Sequence, residues 1–282
     1  MTGRFAPSPT GDLHLGNLRT AVLAWLFARS AGGRFLMRIE DLDTARVRPG
    51  MEEQQLADLA AIGLDWDGPV VRQSERLDLY AAALTRLDVY PCFCTRAEIR
   101  EAASAPHGAL AAYPGTCRDL SAAERAQREA SGRPNALRVR AGAATVTVND
   151  VLRGPIAGTV DDFVVRRGDG AYANNLAVVV DDAAQGVDQV VRGADLAESS
   201  PRQAWLARRL GLPVPEYAHV PLVLGPDGTR LAKRHGQVTL RDLGPAAARA
   251  WIASSLGMPD GLQVSRVDPR ALPSAPTIFE PQ

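Results

Sequence analysis

The chain has 282 residues, 46% of them apolar, and its 32 basic and 32 acidic side chains cancel. That length supports one large domain or two modest ones, and zero net charge gives no argument for a polyanionic partner while leaving room for a locally basic face. No run approaches the eighteen or so apolar residues of a membrane span, and MTGRFAPSPTG carries no basic stretch ahead of an apolar one, so the expectation is a cytoplasmic enzyme with no membrane partner.

Residues 4–6 read as a short strand. Over 15–30, Leu18, Val22, Trp25, Leu26 and Arg29 recur at helical spacing, and Gly32-Gly33 closes the helix. RFLMRI (34–39) reads as a strand. A helix over 49–62 starts at Pro49 and stops before Gly63, and a further helix spans 74–89 with Ser74 as its cap. This alternation predicts a parallel sheet covered by helices. Residues 90–135 break it, with a Pro/Gly/Ala-rich connection and a charged stretch at 121–130. ALRVR, TVTVN and DFVVRR, within 136–175, alternate as antiparallel strands of a second lobe do. LAVVV (176–180) is a continuous apolar run that suits a strand buried on both faces. A helix from 200 or 201 to 210 and a strand over 218–224 follow, and the last twenty or so residues, rich in proline, read as a loosely packed tail. The predicted fold is α/β. A Rossmann-type parallel-sheet nucleotide-binding core occupies 1–89 and 176–244, split by an inserted lobe at 90–175, with a short helix and tail over 245–282.

Two counts carry chemistry. All three cysteines, Cys92, Cys94 and Cys117, fall in one short stretch, and an odd number argues against a secreted disulfide framework. Three thiolates in this pattern can converge on one tetrahedral ion, for which His107 is the generic fourth ligand; the bland reading is a pair of buried free thiols and an unrelated third. Lys233 is the only lysine beside 31 arginines. It is either a chance surface residue or a place where a compact ammonium is required rather than a planar fork.

The most informative stretch is RFAPSPTGDLHLGN, residues 4–17. It reads as a strand, a Pro/Ser/Gly turn, and a helix whose first turn carries His14, Gly16 and Asn17. Unpaired N–H groups and the positive end of the dipole suit a phosphate there. Gly16 allows close approach of a nucleotide, and His14 can donate to a developing phosphoryl charge. No Ser/His/Asp or Cys/His set suggests a protein nucleophile.

This string resembles the signature of the class I aminoacyl-tRNA synthetases, in the form of the glutamyl and glutaminyl branch. RLAKR (230–234) resembles the KMSKS-type loop, with Lys233 as its second lysine. LMRIEDLDTARVRPG (36–50) and NNLAVVVDDAAQGVDQVVRGADL (174–196) extend the likeness over about residues 3–244. The resemblance implies a Rossmann-type core that binds ATP with Mg²⁺ through His14, Gly16, Asn17 and Lys233. It implies a glutamate pocket formed by Arg4, Phe5, Ala6, Pro7, Ser8, Glu40, Asn174 and Arg192, with Glu40 facing the ammonium and Arg192 a carboxylate. YPGTC is similar to the zinc-binding arm of glutamyl-type enzymes, which implies Tyr113 as fourth ligand beside Cys92, Cys94 and Cys117 of one structural Zn²⁺. Four positions depart from the pattern, one of them Arg230 in place of the first Lys of the loop. Asn17 replaces a His, Ala232 a Ser, and Asn174 a Tyr, with Tyr172 two residues earlier as a candidate substitute. The chain stops about fifty residues after Lys233, where glutamyl-tRNA synthetases continue into an anticodon-binding region. The likeness is therefore to the truncated glutamyl-Q family, which implies a monomer that transfers glutamate to queuosine in tRNA(Asp). An amino-acid ligase acting on another tRNA or a small amine, and a non-catalytic RNA-binding module, are the rival readings.

Overall fold

In a computed structural model of the chain the described residues are 1–95, 97–99, 113–225, 227–229, 238–258, 261–262, 268, 271 and 275–279. The first half contains β1 (Thr2–Phe5), α1 (Leu15–Ser30), β2 (Arg34–Ile39), α2 (Met51–Ala61), β3 (Val71–Arg72) and, after a 3₁₀ turn at Gln73–Arg76, α3 (Leu77–Leu84). The middle supplies β4 (Val89–Cys92), α4 (Ala122–Ala130), β5 (Ala136–Val139), β6 (Ala144–Asp150), β7 (Gly154–Val160) and β8 (Val164–Arg166). Then come α5 (Asn174–Ala184), β9 (Gln189–Gly193), a 3₁₀ turn at Ala194–Ser199, α6 (Ser200–Arg209), β10 (Glu216–Val220), β11 (Val223–Leu224), α7 (Leu240–Leu243), α8 (Pro245–Ser255) and β12 (Thr277–Ile278). Among the described residues no helix is long and apolar enough to cross a membrane.

β1, β2 and β3 pair in parallel, and so do β9, β10 and β6; β7 adds an antiparallel edge to β6. β1 lies against β9, and the Asp188 N–H donates to the Thr2 carbonyl at 3.1 Å where they begin. The centre of this Rossmann-type layer is thus β1 beside β9, and the crevice beyond their carboxyl ends is where such sheets bind ligands. A separate antiparallel sheet, β4-β5-β8, forms the lobe. α1 is buried around most of its circumference, with Leu15, Leu18, Val22 and Leu26 fully inside. Each such aliphatic side chain contributes roughly 1.5–3 kcal/mol, which fixes the helix start that faces the crevice.

Four expectations fail here. TVTVN, expected in the second lobe, lies in β6, which with β7 joins the Rossmann-type layer through β10. Residues 176–180 are helical, not a strand. Leu176 through Val180 and both Asp181 and Asp182 are buried, because α5 packs between α3, α6 and β8. A helix covered on every side has no polar stripe, so its apolar run reads like a buried strand; the strand is the following β9. The helix expected over 74–89 is shorter, because the Ser74 N–H and hydroxyl both donate to Asp41 (2.8 and 2.6 Å) and hold a 3₁₀ turn before α3. The last described residues are no loose tail: β12 pairs in parallel with β11, and buried Phe279 meets Trp251 edge to face at 5.5 Å.

Candidate active site

The chain leaves β1 through a turn and enters α1 at His14, which is its N-cap. The His14 Nδ1 accepts from the Asn17 N–H at 3.2 Å, and Asn17 Oδ1 accepts from the His14 N–H at 3.3 Å, a capping box made by an imidazole and an amide. With Nδ1 accepting, the neutral ring carries its proton on Nε2, the donor that a developing phosphoryl charge requires. The first turn of α1 contains no acidic residue, so the positive end of the helix dipole keeps its reach. Gly16 matters for a reason the sequence did not show: a Cβ there would sit 3.0 Å from the His14 ring. His14, Gly16 and Asn17 line a cavity of about 760 Å³, with Phe5, Ala6, Pro7 and Ser8 from the turn and Arg46 and Arg48 on its rim.

A second cavity of about 280 Å³ shares Ser8, Thr10 and Arg46 with the first and is lined further by Glu40, Arg167, Tyr172 and Asn174. Asn174, the first residue of α5, donates its Nδ2 to Glu40 at 2.9 Å. Burial pushes the Glu40 carboxyl up, against the pull of Arg38 and Arg4, and an arriving ammonium would favour its charged form. Tyr172 does not continue an extended strand through residue 174. It bridges back to Arg166, and its ring meets Tyr80 edge to face at 5.4 Å while walling the smaller cavity.

The two arginines singled out by the resemblance have different surroundings. Arg4 is buried and paired to Asp182 through Nε at 3.1 Å. Asp182 also takes Arg38 Nη1 at 2.7 Å, and these two cations outweigh burial and hold its carboxyl below the usual range. Arg38, fully buried, reaches Glu40 and Gln185 as well, while Asp181 gathers Arg76, Gln73 and Tyr80. Among the described residues Arg192 has no carboxylate as a hydrogen-bond partner. Its Nε donates to His219 Nε2 (3.0 Å), Nη1 to Gln203 (2.7 Å), and Nη2 to Ser200 (2.7 Å), Ser199 (3.2 Å) and the Leu196 carbonyl (3.3 Å). Burial lowers its pKa to about 10, so it stays a cation at neutral pH. Neither arginine lines the two cavities.

The chain does assemble a Ser/His/Asp set that the sequence conceals. His219 Nδ1 lies 2.6 Å from Asp150 Oδ2, and Ser200 Oγ lies 3.2 Å from His219 Nε2. All three are buried, and the Nε2 lone pair already receives Arg192, so this imidazole cannot serve Ser200 as a base.

In the lobe, the Sγ atoms of Cys92, Cys94 and Cys117 lie within 4.8 Å of one another. The Tyr113 hydroxyl sits among them, 3.4 Å from Cys92 Sγ and accepting the Cys117 N–H at 2.7 Å. Three sulfurs and a phenolic oxygen converging from β4 and the following segment make a donor set that fits one tetrahedral ion. His107 lies outside the described residues. So does Lys233 with the whole RLAKR stretch, but the flank after it is anchored at the crevice: Leu15 N–H donates to Val238 O at 2.9 Å, and His14 bridges to Thr239.

A Rossmann-type layer with a capped helix start over a nucleotide-sized cavity, a Cys-bearing inserted lobe and a loop anchored at that helix define a class I synthetase catalytic domain. The family of class I tRNA synthetases for Glu and Gln, catalytic domain, matches residues 1–244. The chain is 62% identical to a glutamyl-Q tRNA(Asp) synthetase of Nocardia farcinica, over 98% of this chain and 92% of that one. It is 52% identical to one of Deinococcus radiodurans, over 92% and 90%. Among solved structures it superposes on a glutamate tRNA ligase of Elizabethkingia meningosepticum in complex with its amino acid, with TM-score 0.82 and 29% identity over 99% of this chain and 67% of that one. The chain belongs to the glutamyl-Q tRNA(Asp) synthetase family of class I aminoacyl-tRNA synthetases, and is an enzyme of the ligase class.

Proposed function

We propose that this chain activates L-glutamate with ATP, without tRNA, and transfers the glutamyl group to queuosine in the anticodon of tRNA(Asp). The observation that carries the reading is the pair of adjoining cavities at the end of β1, one sized for a nucleotide and one for a small amino acid, sharing Ser8, Thr10 and Arg46. ATP fits the larger space, its phosphates toward the N-terminus of α1. Glutamate fits the smaller, its ammonium toward Glu40 with Ser8 and Asn174 around it; the family resemblance adds Arg192 for a carboxylate, and Arg4, Phe5, Ala6 and Pro7, none of which lines this cavity. A carboxylate oxygen then attacks the α-phosphorus in line, the bond to the bridging oxygen breaks, and pyrophosphate leaves with its electron pair. His14, the helix N-terminus and Lys233 hold the charge that spreads in this step; no side chain acts as a nucleophile. Mg²⁺ accompanies the triphosphate and offsets its charge, and the carboxylates of Asp12 and Asp195 on the cavity lining suit a cation held mainly by phosphates and water. In the second step a hydroxyl of the queuosine cyclopentenediol attacks the glutamyl carbonyl, and AMP departs. One structural Zn²⁺ in the lobe, held by Cys92, Cys94, Cys117 and Tyr113, completes the reading, with a cytoplasmic location.

Glutamate-dependent ATP–pyrophosphate exchange in the absence of tRNA tests the first step. Nuclease mapping of radiolabelled glutamate on queuosine-containing tRNA(Asp) tests the second, with the label expected on the anticodon nucleotide. Label on the 3′-terminal adenosine, or no exchange without tRNA, overturns the reading.

A further inference from the structure

Arg192 is an unusual cation because, among the described residues, every group that hydrogen-bonds to it is neutral. Its partners are an imidazole, a carboxamide, two hydroxyls and a carbonyl, and one N–H on Nη1 has no partner among the described residues. Arg4, by contrast, has Asp182 against it. A buried guanidinium held without a carboxylate keeps its full charge for a ligand, but its buried Nε–H needs an acceptor of its own, and the four bonds through Nη1 and Nη2 do not supply one.

The acceptor depends on the tautomer of one histidine. Imidazole Nε2 accepts from Arg192 only if the proton sits on Nδ1. Asp150 dictates that placement: its Oδ2 lies 2.6 Å from Nδ1 and also accepts the His219 backbone N–H at 2.9 Å. The other oxygen, Oδ1, accepts the N–H groups of Leu152 (3.0 Å) and Arg153 (2.9 Å), so the carboxylate cannot rotate away. Asp150 ends β6, His219 lies on β10 and Arg192 on the adjacent β9, so three neighbouring parallel strands carry the chain of contacts. Tyr217 stacks on the His219 ring at 5.9 Å and lies under the Arg192 guanidinium at 5.4 Å, which fixes both planes.

We propose that Asp150 and His219 are positioning residues for glutamate: by fixing the Nδ1–H tautomer they hold the Arg192 guanidinium in orientation without neutralising it. This rests on the reading of Arg192 as a carboxylate receptor. A hydrolytic triad is the competing use of the same three groups, and Arg192 at Nε2 stands against it. Asp150→Asn offers Nδ1 an amide donor, which turns the imidazole to the Nε2–H tautomer and sets N–H against N–H at Arg192. His219→Leu removes the acceptor outright. His219→Gln replaces it, with the carboxamide oxygen toward Arg192 and its NH₂ toward Asp150.

The experiment is glutamate-dependent pyrophosphate exchange with the full chain, with Arg192→Leu as reference. Asp150→Asn and His219→Leu are expected to raise the glutamate KM at least about tenfold while the ATP KM moves less than about twofold, and His219→Gln to recover most of the loss. A role confined to packing would move both KM values and the melting temperature together, without recovery by Gln, and that result overturns the proposal. So does a fluorophosphonate probe that labels Ser200. If Arg192→Leu abolishes exchange while Asp150→Asn and His219→Leu leave the glutamate KM unchanged, this inference alone fails; exchange that survives Arg192→Leu overturns the receptor reading beneath it. Should His219→Leu not fold, Asp150→Asn, nearly identical in volume, decides by itself.

Discussion

The sequence holds one lysine, Lys233, beside 31 arginines. A lysine can follow a phosphate that changes shape, because its three donors rotate about one point, whereas a guanidinium fork is fixed. Lys233→Ala should therefore lower glutamate-dependent exchange by at least about a hundredfold, the scale of one lost charge-stabilising donor, and Lys233→Arg should recover only part. An Arg variant at the wild-type rate would sink the argument from the single lysine. Asn174 permits a finer test, since its bond to Glu40 is one neutral-to-charged contact at the pocket wall. Asn174→Ala should raise the glutamate KM by up to about tenfold (~1.4 kcal/mol) and leave the ATP KM alone; equal changes in both would show that the contact serves the fold rather than the substrate. His14 and Asn17 could be read from the chain because their contact spans three residues. Arg38 with Asp182, and Asp150 with His219, could not: 144 and 69 residues separate the partners, and only the assembled sheet brings them together.

Among the elements, α1 and β2 were legible to the residue, because Gly32-Gly33 closes the helical spacing of the first and the second follows that stop directly, but α5 was not. Burial on all sides erases the period that distinguishes a helix from a strand, and β7, broken by Gly and Pro, gave no alternation at all. The Cys-bearing segment was legible because sulfur spacing survives without any period. Its support was hidden: fully buried Asp162, just before β8, accepts from Tyr90 on β4 (2.6 Å), from Arg118 near Cys117 (2.6 Å) and from the Ala141 N–H after β5 (2.9 Å). The lobe is thus held by this carboxylate beside the sulfurs, since Tyr90 stands two residues from Cys92 and Arg118 next to Cys117. Protein purified without chelators should carry about one zinc per chain. Chelation should speed hydrogen exchange in β4 and residues 113–120 while leaving β1 and α1 protected, and Tyr113→Phe should lose metal to a competing chelator more readily than wild type. Metal-free protein with three freely titrating thiols would end the claim.

For the molecule as a whole, one carboxylate stands where the two halves of the sheet meet. Asp182 comes from α5 in the second half, and the cations it holds, Arg4 on β1 and Arg38 on β2, come from the first. All three are almost entirely buried, so solvent screens little of the interaction. Replacing the arginines and the acid together by apolar residues could be tolerated, but removing the acid alone leaves two guanidiniums in the core without it, the costly half of a broken pair. Asp182→Ala should lose roughly 3–5 kcal/mol, read as a lower urea midpoint with an unchanged slope, and the single transition should persist because the residue joins the halves rather than belonging to either. The same carboxylate makes the fold acid-sensitive. Its pKa is depressed in the native state, so the stabilisation is whole above the unfolded carboxyl value of about 4 and fades as pH falls through the lower native value. Wild-type protein should therefore lose stability steeply below about pH 4, and Asp182→Ala should show a shallower fall over that range. If the variant unfolds at the wild-type urea midpoint, or its acid profile runs parallel to that of the wild type, the junction between the halves is held by apolar packing and this buried ion cluster contributes nothing net to it.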